Sequence, residues 1–419
     1  MDKNEALAWI HGRSKFKIKP GLERMEWMAE KLGHPERRVP AIHVAGTNGK
    51  GSTTAFLKFL LMEQGYSTGT FTSPYITHFN ERISINGVPV PDEDLIALIK
   101  KVKPLVEEAA NLPIGEPTEF EVITMMSLLY FSEKTVDIMI LETGLGGRYD
   151  STNIIHSLVS IITNIGLDHQ DILGESYAEI AEQKAGIIKE RAAVISGVDQ
   201  TEAKKIVEET SKERSAPLFR LGEEFSITQA EDEQSFRYKF HHEAQYQISM
   251  LGDHQKNNAS LAITTMDILK ESGWMINRSL YGQALLKTWW PGRMEVVRQH
   301  PYTLLDGAHN YEGTLALVKA IETLYRGRTI HVIYGAIAGK PVKEMLNMIK
   351  KVATTVTVVT FDFPKALTKN DYQSIDAGLV HYENSMDAYE QVKQEAAEED
   401  IILCTGSLYF ISEIRNLFD

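Results

Sequence analysis

The stretch Gly46-Thr47-Asn48-Gly49-Lys50-Gly51-Ser52-Thr53 sets a lysine among glycines, with hydroxyls directly behind it. It lies between a short β-branched segment (Ile42, Val44) and apolar residues at helical spacing (Phe56, Leu57, Leu60, Leu61). Strand, glycine loop and helix in that order form a seat for phosphate. The first helical turn leaves backbone N–H groups unpartnered and carries partial positive charge, glycines let an anion approach, and Lys50 adds a point charge. Two details depart from the general phosphate-loop pattern: Val44 stands where a glycine is usual, and Gly51 separates Lys50 from Ser52. The loop by itself implies nucleotide phosphate and nothing narrower.

Five side chains bear on whether a magnesium-bound nucleotide could sit here. Ser52, Ser73 and Glu142 offer the oxygen donors that hard cations prefer. His169 is an odd magnesium ligand, so it either completes a metal set or fills a structural place. Lys184 poses a charge problem, because an ammonium about 4 Å from a dication costs roughly 8 kcal/mol at an effective dielectric of 20. Beside a metal it must be neutral or chemically modified; elsewhere it is a surface lysine. A second group follows far downstream, Arg293 after Trp289-Trp290-Pro291-Gly292, and then Asp306-Gly307-Ala308-His309-Asn310. An arginine and a histidine there can close over a γ-phosphate, or they are a helix cap and a surface arginine.

The elements that must carry these residues are legible as alternating apolar strands and helices. Segments 68–74 (a run halted by Pro74), 137–141, 158–165 and 192–198 read as strands, and 92–106, 118–131 and 176–188 as helices. Residues 79–87 read as a hairpin turning at Asn86-Gly87, and 220–250 as antiparallel edge strands. A helix starts after Gly252. Residues 1–38 read as helix, basic loop (13–19) and helix. Strands that are apolar throughout imply a parallel sheet covered on both faces, with ligands beyond the carboxyl ends of the strands. Gly46 to Lys50, Ser73, Glu142 and His169 each follow such a strand, so four distant segments are expected at one sheet edge. Beyond Pro291 the alternation restarts, with strands over 303–306, 329–334, 356–361 and 401–405. The expected architecture is α/β: a doubly wound, mostly parallel sheet containing the phosphate loop (1–290), then a smaller Rossmann-like α/β domain (291–419).

Composition narrows the class. The chain has 419 residues, 43% of them apolar, and a net charge of −13, which argues against a nucleic-acid groove. A single cysteine, Cys404, leaves no intrachain disulfide. No run reaches the length of a membrane span, and the N-terminus has no secretory pattern. A cytoplasmic protein acting on small anions, without membrane or nucleic-acid partners, is expected.

Taken together, the segments above resemble the motif series of the folylpolyglutamate synthase and bifunctional dihydrofolate synthase family. Phe79-Asn80-Glu81-Arg82-Ile83, Glu142-Thr143-Gly144-Leu145-Gly146-Gly147-Arg148, Lys184-Ala185-Gly186-Ile187-Ile188-Lys189 and Gly406-Ser407-Leu408-Tyr409 add to the likeness, which runs in order over residues 40–410. The Mur ligases share the Gly-Thr-Asn-Gly-Lys start, but there lysine is followed directly by threonine; Gly51 points to the folate branch. The resemblance implies an ATP-dependent ligase acting as a monomer. The γ-carboxylate of a reduced folate, or the carboxylate of dihydropteroate, would take phosphate from ATP, and L-glutamate would displace it. It implies two magnesium ions held by Ser73, Glu142, His169 and a carbamylated Lys184. ATP would be held by Thr47, Asn48, Gly49, Lys50, Gly51, Ser52 and Thr53, with Asn258 on adenine, Arg293 and Asp306 on phosphate and ribose, and His309 on the phosphates. Thr118, Phe120 and Glu121 would line the pterin side. Tyr75 and Tyr311 depart from the family's usual His and Pro.

Three other functions compete. A nucleotide-gated binding module would be expected to carry an Asn-Lys-x-Asp guanine reader, which is absent from the sequence. A Mur-type ligase for a nucleotide-linked acceptor would need a domain ahead of the phosphate loop, where only 45 residues stand. A kinase stopping at the acyl phosphate would release phosphate without an amine.

Overall fold

The computed structural model describes residues 2–13 and 21–418. From residue 14 onward, the basic stretch expected as a loop lies outside them. The chain divides into two compact units. The first comprises Met1–Thr228, Arg237–Tyr246 and Asn257–Lys287; the second comprises Gln229–Phe236, Gln247–Lys256 and Thr288–Asp419.

Among the described residues of the first unit, strands β1 (Ala41–Ala45), β2 (Thr68–Phe71), β3 (Ile83–Ile85), β4 (Val88–Pro89), β5 (Ile138–Glu142), β6 (Ser157–Ile162), β7 (Ala193–Ser196) and β8 (Leu218–Arg220) form one eight-stranded sheet. Its order is β4-β3-β2-β5-β1-β6-β7-β8, parallel from β2 to β8 and antiparallel at β3 and β4. β1 and β5 are buried at every position, as strands covered by helices on both faces must be. One face packs Phe71, Met125, Phe131 and Leu141 into a common core. Cutting such a side chain to alanine typically costs about 2–5 kcal/mol.

The helix Glu119–Glu133 is apolar nearly all round and is buried along its length. No helix among the described residues is long and apolar enough to cross a membrane. Its start is fixed by a capping box: the Thr118 hydroxyl accepts from Glu121 N, and the Glu121 carboxylate accepts from Thr118 N. Asn86 and Gly87 take positive φ angles of 52° and 77° at the β3–β4 turn, as a two-residue hairpin requires. The expected hairpin is shorter than its sequence suggests. Phe79–Arg82 is a 3-10 turn, because the Glu81 carboxylate gathers the N–H groups of Ile76, Thr77 and His78.

Next in sequence, β9 (Ser226–Gln229), β10 (Ser235–Lys239) and β11 (Glu243–Gln247) form a small sheet ordered β11-β10-β9. The second unit is built on β12 (Glu295–Gln299), β13 (Tyr302–Leu305), β14 (Ile330–Tyr334), β15 (Thr355–Val359), β16 (Val380–Tyr382) and β17 (Ile401–Thr405), in the order β12-β13-β17-β14-β15-β16. All its pairings are parallel except the edge pair β12–β13. Leu304, Val332, Val358 and Leu403 meet on one face of this sheet.

Candidate functional site

In the first unit, β1 ends at Ala45 and the helix Lys50–Glu63 starts at Lys50, so Gly46 to Gly49 form the phosphate loop. Gly49 has φ +83°, and a Cβ there would lie 2.5 Å from the Asn258 Oδ1 atom. Only glycine meets both demands without strain. The contact also places Asn258 against the loop, although more than 200 residues separate them in sequence. The loop is held from the β6 side: Thr47 N donates to Asn164 O at 3.1 Å, Asn48 N to Asn164 Oδ1 at 2.9 Å, and Thr163 Oγ1 to Asn48 O at 2.6 Å. Thr163 and Asn164 were not singled out from the sequence, where the polar pair closing an apolar strand was the available sign. Ser52 and Thr53 are buried on the first helical turn, as is Gly51.

Lys50 Nζ donates to Gly46 O at 3.0 Å and to Thr47 O at 3.4 Å. Lys184 Nζ donates to the same Gly46 O at 2.9 Å. The two nitrogens are therefore at most about 6 Å apart, and two like charges at that distance repel by about 3 kcal/mol at an effective dielectric of 20. Burial first, and then the charge of Lys50, push the Lys184 amine down to about 7, against the opposing pull of Asp168 and Asp150. Lys184 is thus no surface lysine. It reaches the phosphate loop from the last turn of the helix Tyr177–Ala185.

Glu142, the last residue of β5, is buried, and its Oε2 accepts from Ser73 N at 3.3 Å. Ser73 follows β2 and Glu142 ends β5; β5 lies beside β1 and β2 beside β5, so of the four segments expected at one sheet edge the phosphate loop, Ser73 and Glu142 stand together there, and Lys184, not among those four, joins them through Gly46 O. His169 is exposed and takes a left-handed conformation, φ 54°, ahead of the helix Gln170–Leu173. Among the described residues no three His, Cys, Asp or Glu side chains group into a metal site. The oxygen donors suit a hard cation in kind: a buried carboxylate on Glu142 and the serine beside it, with the Lys184 amine a donor of that kind only once modified.

Of the residues expected on the pterin side, Phe120 packs against Phe71 at 5.6 Å, and its ring fills the space where a Cβ on Gly144 would lie. Glu121 is deeply engaged: Oε2 accepts from the Thr118 amide and hydroxyl at 2.7 and 2.8 Å, and Oε1 from Arg24 Nε at 2.8 Å. Its carboxylate fixes the start of the helix that presents Phe120. Tyr75 packs against Phe79, and the Arg82 guanidinium lies over both rings.

In the second unit, Asp306 follows β13 and is buried. It accepts from Met294 N at 3.0 Å and Ala308 N at 2.9 Å. Burial raises this carboxyl's pKa, partly offset by the Arg293 charge. Arg293 Nη1 donates to Gly292 O at 2.9 Å, and His309 Nδ1 donates to Gly307 O at 2.8 Å, which leaves the proton of the neutral ring on Nδ1. Asn310 caps the helix Tyr311–Leu324. His254, not singled out from the sequence, belongs to this unit; burial and then Arg293 push its imidazole down to about 4. It stays neutral at any physiological pH.

The profile of the Mur ligase middle domain matches residues 44–266, and that of the Mur ligase glutamate ligase domain matches residues 292–408. The dihydrofolate synthase/folylpolyglutamate synthase of Bacillus subtilis is 42% identical over 420 residues, covering 98% of this chain and 98% of its own. Escherichia coli FolC in complex with DHPP and ADP superposes with a TM-score of 0.91 at 25% identity, covering 100% of this chain and 97% of that one. An FPGS–AMPPCP–folate complex superposes with a TM-score of 0.89 at 30% identity, covering 100% and 99%.

Proposed function

The chain belongs to the folylpolyglutamate synthase/dihydrofolate synthase family of Mur ligases, and from that premise we propose a specific assignment of its residues and acceptors. It is an ATP-dependent ligase that joins L-glutamate to a folate through an amide bond. The acceptors are a reduced folate and dihydropteroate; the Bacillus relative, which bears both names, supports the pair. The observation that carries the residue assignment is the shared Gly46 carbonyl, which draws the phosphate-loop lysine and the near-neutral Lys184 together beside Glu142's sheet edge.

The backbone N–H groups of residues 49–51 and the Lys50 ammonium bind the triphosphate, with Ser52 and Thr53 on the same turn and Thr47 and Asn48 shaping the loop ahead of them. Asn258, already against Gly49, reaches the adenine. In the second unit, Arg293 and Asp306 take phosphate and ribose, and His309 takes the phosphates. Ser73, Glu142, His169 and Lys184, the last as its carbamate, hold two magnesium ions. Magnesium, when bound, screens the triphosphate charge and polarises the γ-phosphoryl group. Carbamylation turns Lys184 from a cation into an oxygen donor, which removes the charge conflict. Thr118 and Phe120 face the pterin, with Glu121 holding both in place.

With the acceptor seated, its carboxylate oxygen attacks the γ-phosphorus and ADP leaves, giving an acyl phosphate. The amine of L-glutamate then adds to the acyl carbon. The tetrahedral intermediate expels phosphate and loses a proton, leaving the amide. The same assignment makes the protein a cytoplasmic monomer, its one cysteine a buried thiol in β17.

Purified protein incubated with Mg·ATP, L-glutamate and each acceptor separately should yield a product heavier by one glutamyl unit with a reduced folate and with dihydropteroate. A product from only one of them narrows the acceptor, and none from any of them contradicts the ligase assignment.

A further inference from the structure

The 3-10 turn Ser151–Ile154 lies outside the set of residues assigned to ATP, metal or pterin, yet its side chains tie together the segments that carry them. Three of its residues, Ser151, Thr152 and Asn153, are buried. From β1, the His43 ring lies with Nε2 2.7 Å from Thr152 Oγ1. Thr152 Oγ1 in turn donates to Asp150 Oδ1 at 2.6 Å, so the His43 N–H is the donor to the threonine. Asp150 also accepts from Thr152 N at 3.0 Å, and its Oδ2 accepts from Leu145 N at 2.8 Å. Leu145 lies three residues beyond Glu142, and His43 three residues before Gly46.

A second set of ties runs to the lysine helix. Asn153 Nδ2 donates to Arg148 O and to Gly186 O, both at 3.0 Å, and Lys189 Nζ donates to Asn153 O and Oδ1, both at 2.8 Å. Arg148 N donates to Gln183 O at 2.7 Å. A Cβ on Gly147 would lie 2.7 Å from Gln183 O and 2.9 Å from Lys184 O, so the loop and the helix end touch backbone to backbone. Gly186 lies two residues beyond Lys184.

We propose that the Asp150–Asn153 turn, with His43, is a positioning bracket that sets Glu142 and Lys184 relative to the phosphate loop. The ties at His43, Leu145, Gln183 and Gly186 end within three residues of Gly46, Glu142 or Lys184. Catalytic constellations tolerate displacements of only about 0.5 Å. The bracket residues do not touch substrate; they act through the segments they hold. The inference rests on the assignment of Glu142 and Lys184 made above.

The test compares Thr152→Val, which removes the relaying hydroxyl at constant shape, with Thr152→Ser, which keeps it. Two readouts are used: steady-state kinetics, and calorimetric binding of a non-hydrolysable ATP analogue across a Mg2+ series. For Thr152→Val, kcat falls about 10–100-fold, the Mg2+ concentration for half-maximal analogue binding rises about tenfold, and the KM for ATP stays within about threefold of the parent. Thr152→Ser returns kcat to within about threefold of the parent. An unchanged Mg2+ requirement in Thr152→Val, or equal losses in the two variants, overturns the bracket. Should Thr152→Val fail to fold, Asn153→Ser must show the same pattern; a failure of both to fold makes the turn a folding element and also overturns the proposal. Glu142→Gln is the control. If it leaves the Mg2+ requirement unchanged, the site assignment itself fails; if it raises that requirement while Thr152→Val does not, only the bracket fails.

Discussion

Lys184→Ala is expected to lower kcat by about 10³-fold or more while changing ATP affinity only about threefold, because it removes a group proposed to act on the reacting phosphate and leaves the loop amides and Lys50 in place. The buried position and the shared Gly46 carbonyl make this lysine a poor place for a permanent charge. Its amine is pushed from the ordinary 10.5 down to about 7, so it is largely neutral at pH 8 and largely an ammonium at pH 6. A neutral amine adds carbon dioxide and an ammonium does not, so activity should fall as pH drops through about 7. Bicarbonate at pH 8 should restore protein stripped of carbon dioxide. Linkage gives the same sign for stability. The unfolded chain holds a proton on this lysine up to about 10.5 and the folded chain only to about 7, so the contribution rises with pH across that window and is lost as pH falls toward 7. In Lys184→Ala, millimolar acetate should recover part of the lost rate by supplying the missing carboxylate. Normal turnover in that variant, measured by ADP release in the presence of acceptor and L-glutamate, contradicts the role.

Glu142→Gln is the second large effect. The amide keeps the shape and can still accept from Ser73 N, whose bond to Glu142 Oε2 is 3.3 Å, but it loses the charge that a dication requires. The expected result is a loss of about 10²–10³ in kcat with a raised Mg2+ requirement and a nearly unchanged unfolding midpoint. Steady-state rates across a Mg2+ series, paired with thermal unfolding, check both halves. A variant that turns over at the parent rate at low Mg2+ contradicts the metal assignment of Glu142.

The strands of both parallel sheets were legible because residues such as Ile42, Val44, Ile140, Leu403 and Ile402 are apolar on both faces, a pattern that short exposed elements do not share. β12, Glu295–Gln299, escaped notice because it is an antiparallel edge strand, only partly buried and polar in sequence. β16, a parallel edge strand of three residues, and the helix Lys369–Ile375 were missed because both are short and bury few side chains. The second unit takes in Gln229–Phe236 and Gln247–Lys256 as well as Thr288 onward, which a reading that divides the chain once cannot anticipate. Within the site, residue type and place after a strand pointed to Lys50, Ser73 and Glu142. The ambiguity over Lys184 was a question of distance, which Gly46 O resolves. Glu121 could not be recognised as an ion-pair partner because Arg24 lies 97 residues away. Likewise the links from His43 to Thr152 and from Asn48 to Asn164 span 109 and 116 residues.

The account stands on the transfer of the γ-phosphoryl group of ATP to the acceptor's carboxylate before any amide forms. It is tested by running the reaction with oxygen-18 in that carboxylate and reading the mass of the released phosphate. The account predicts one labelled oxygen in inorganic phosphate for each glutamyl bond made. Unlabelled phosphate alongside amide product would contradict it.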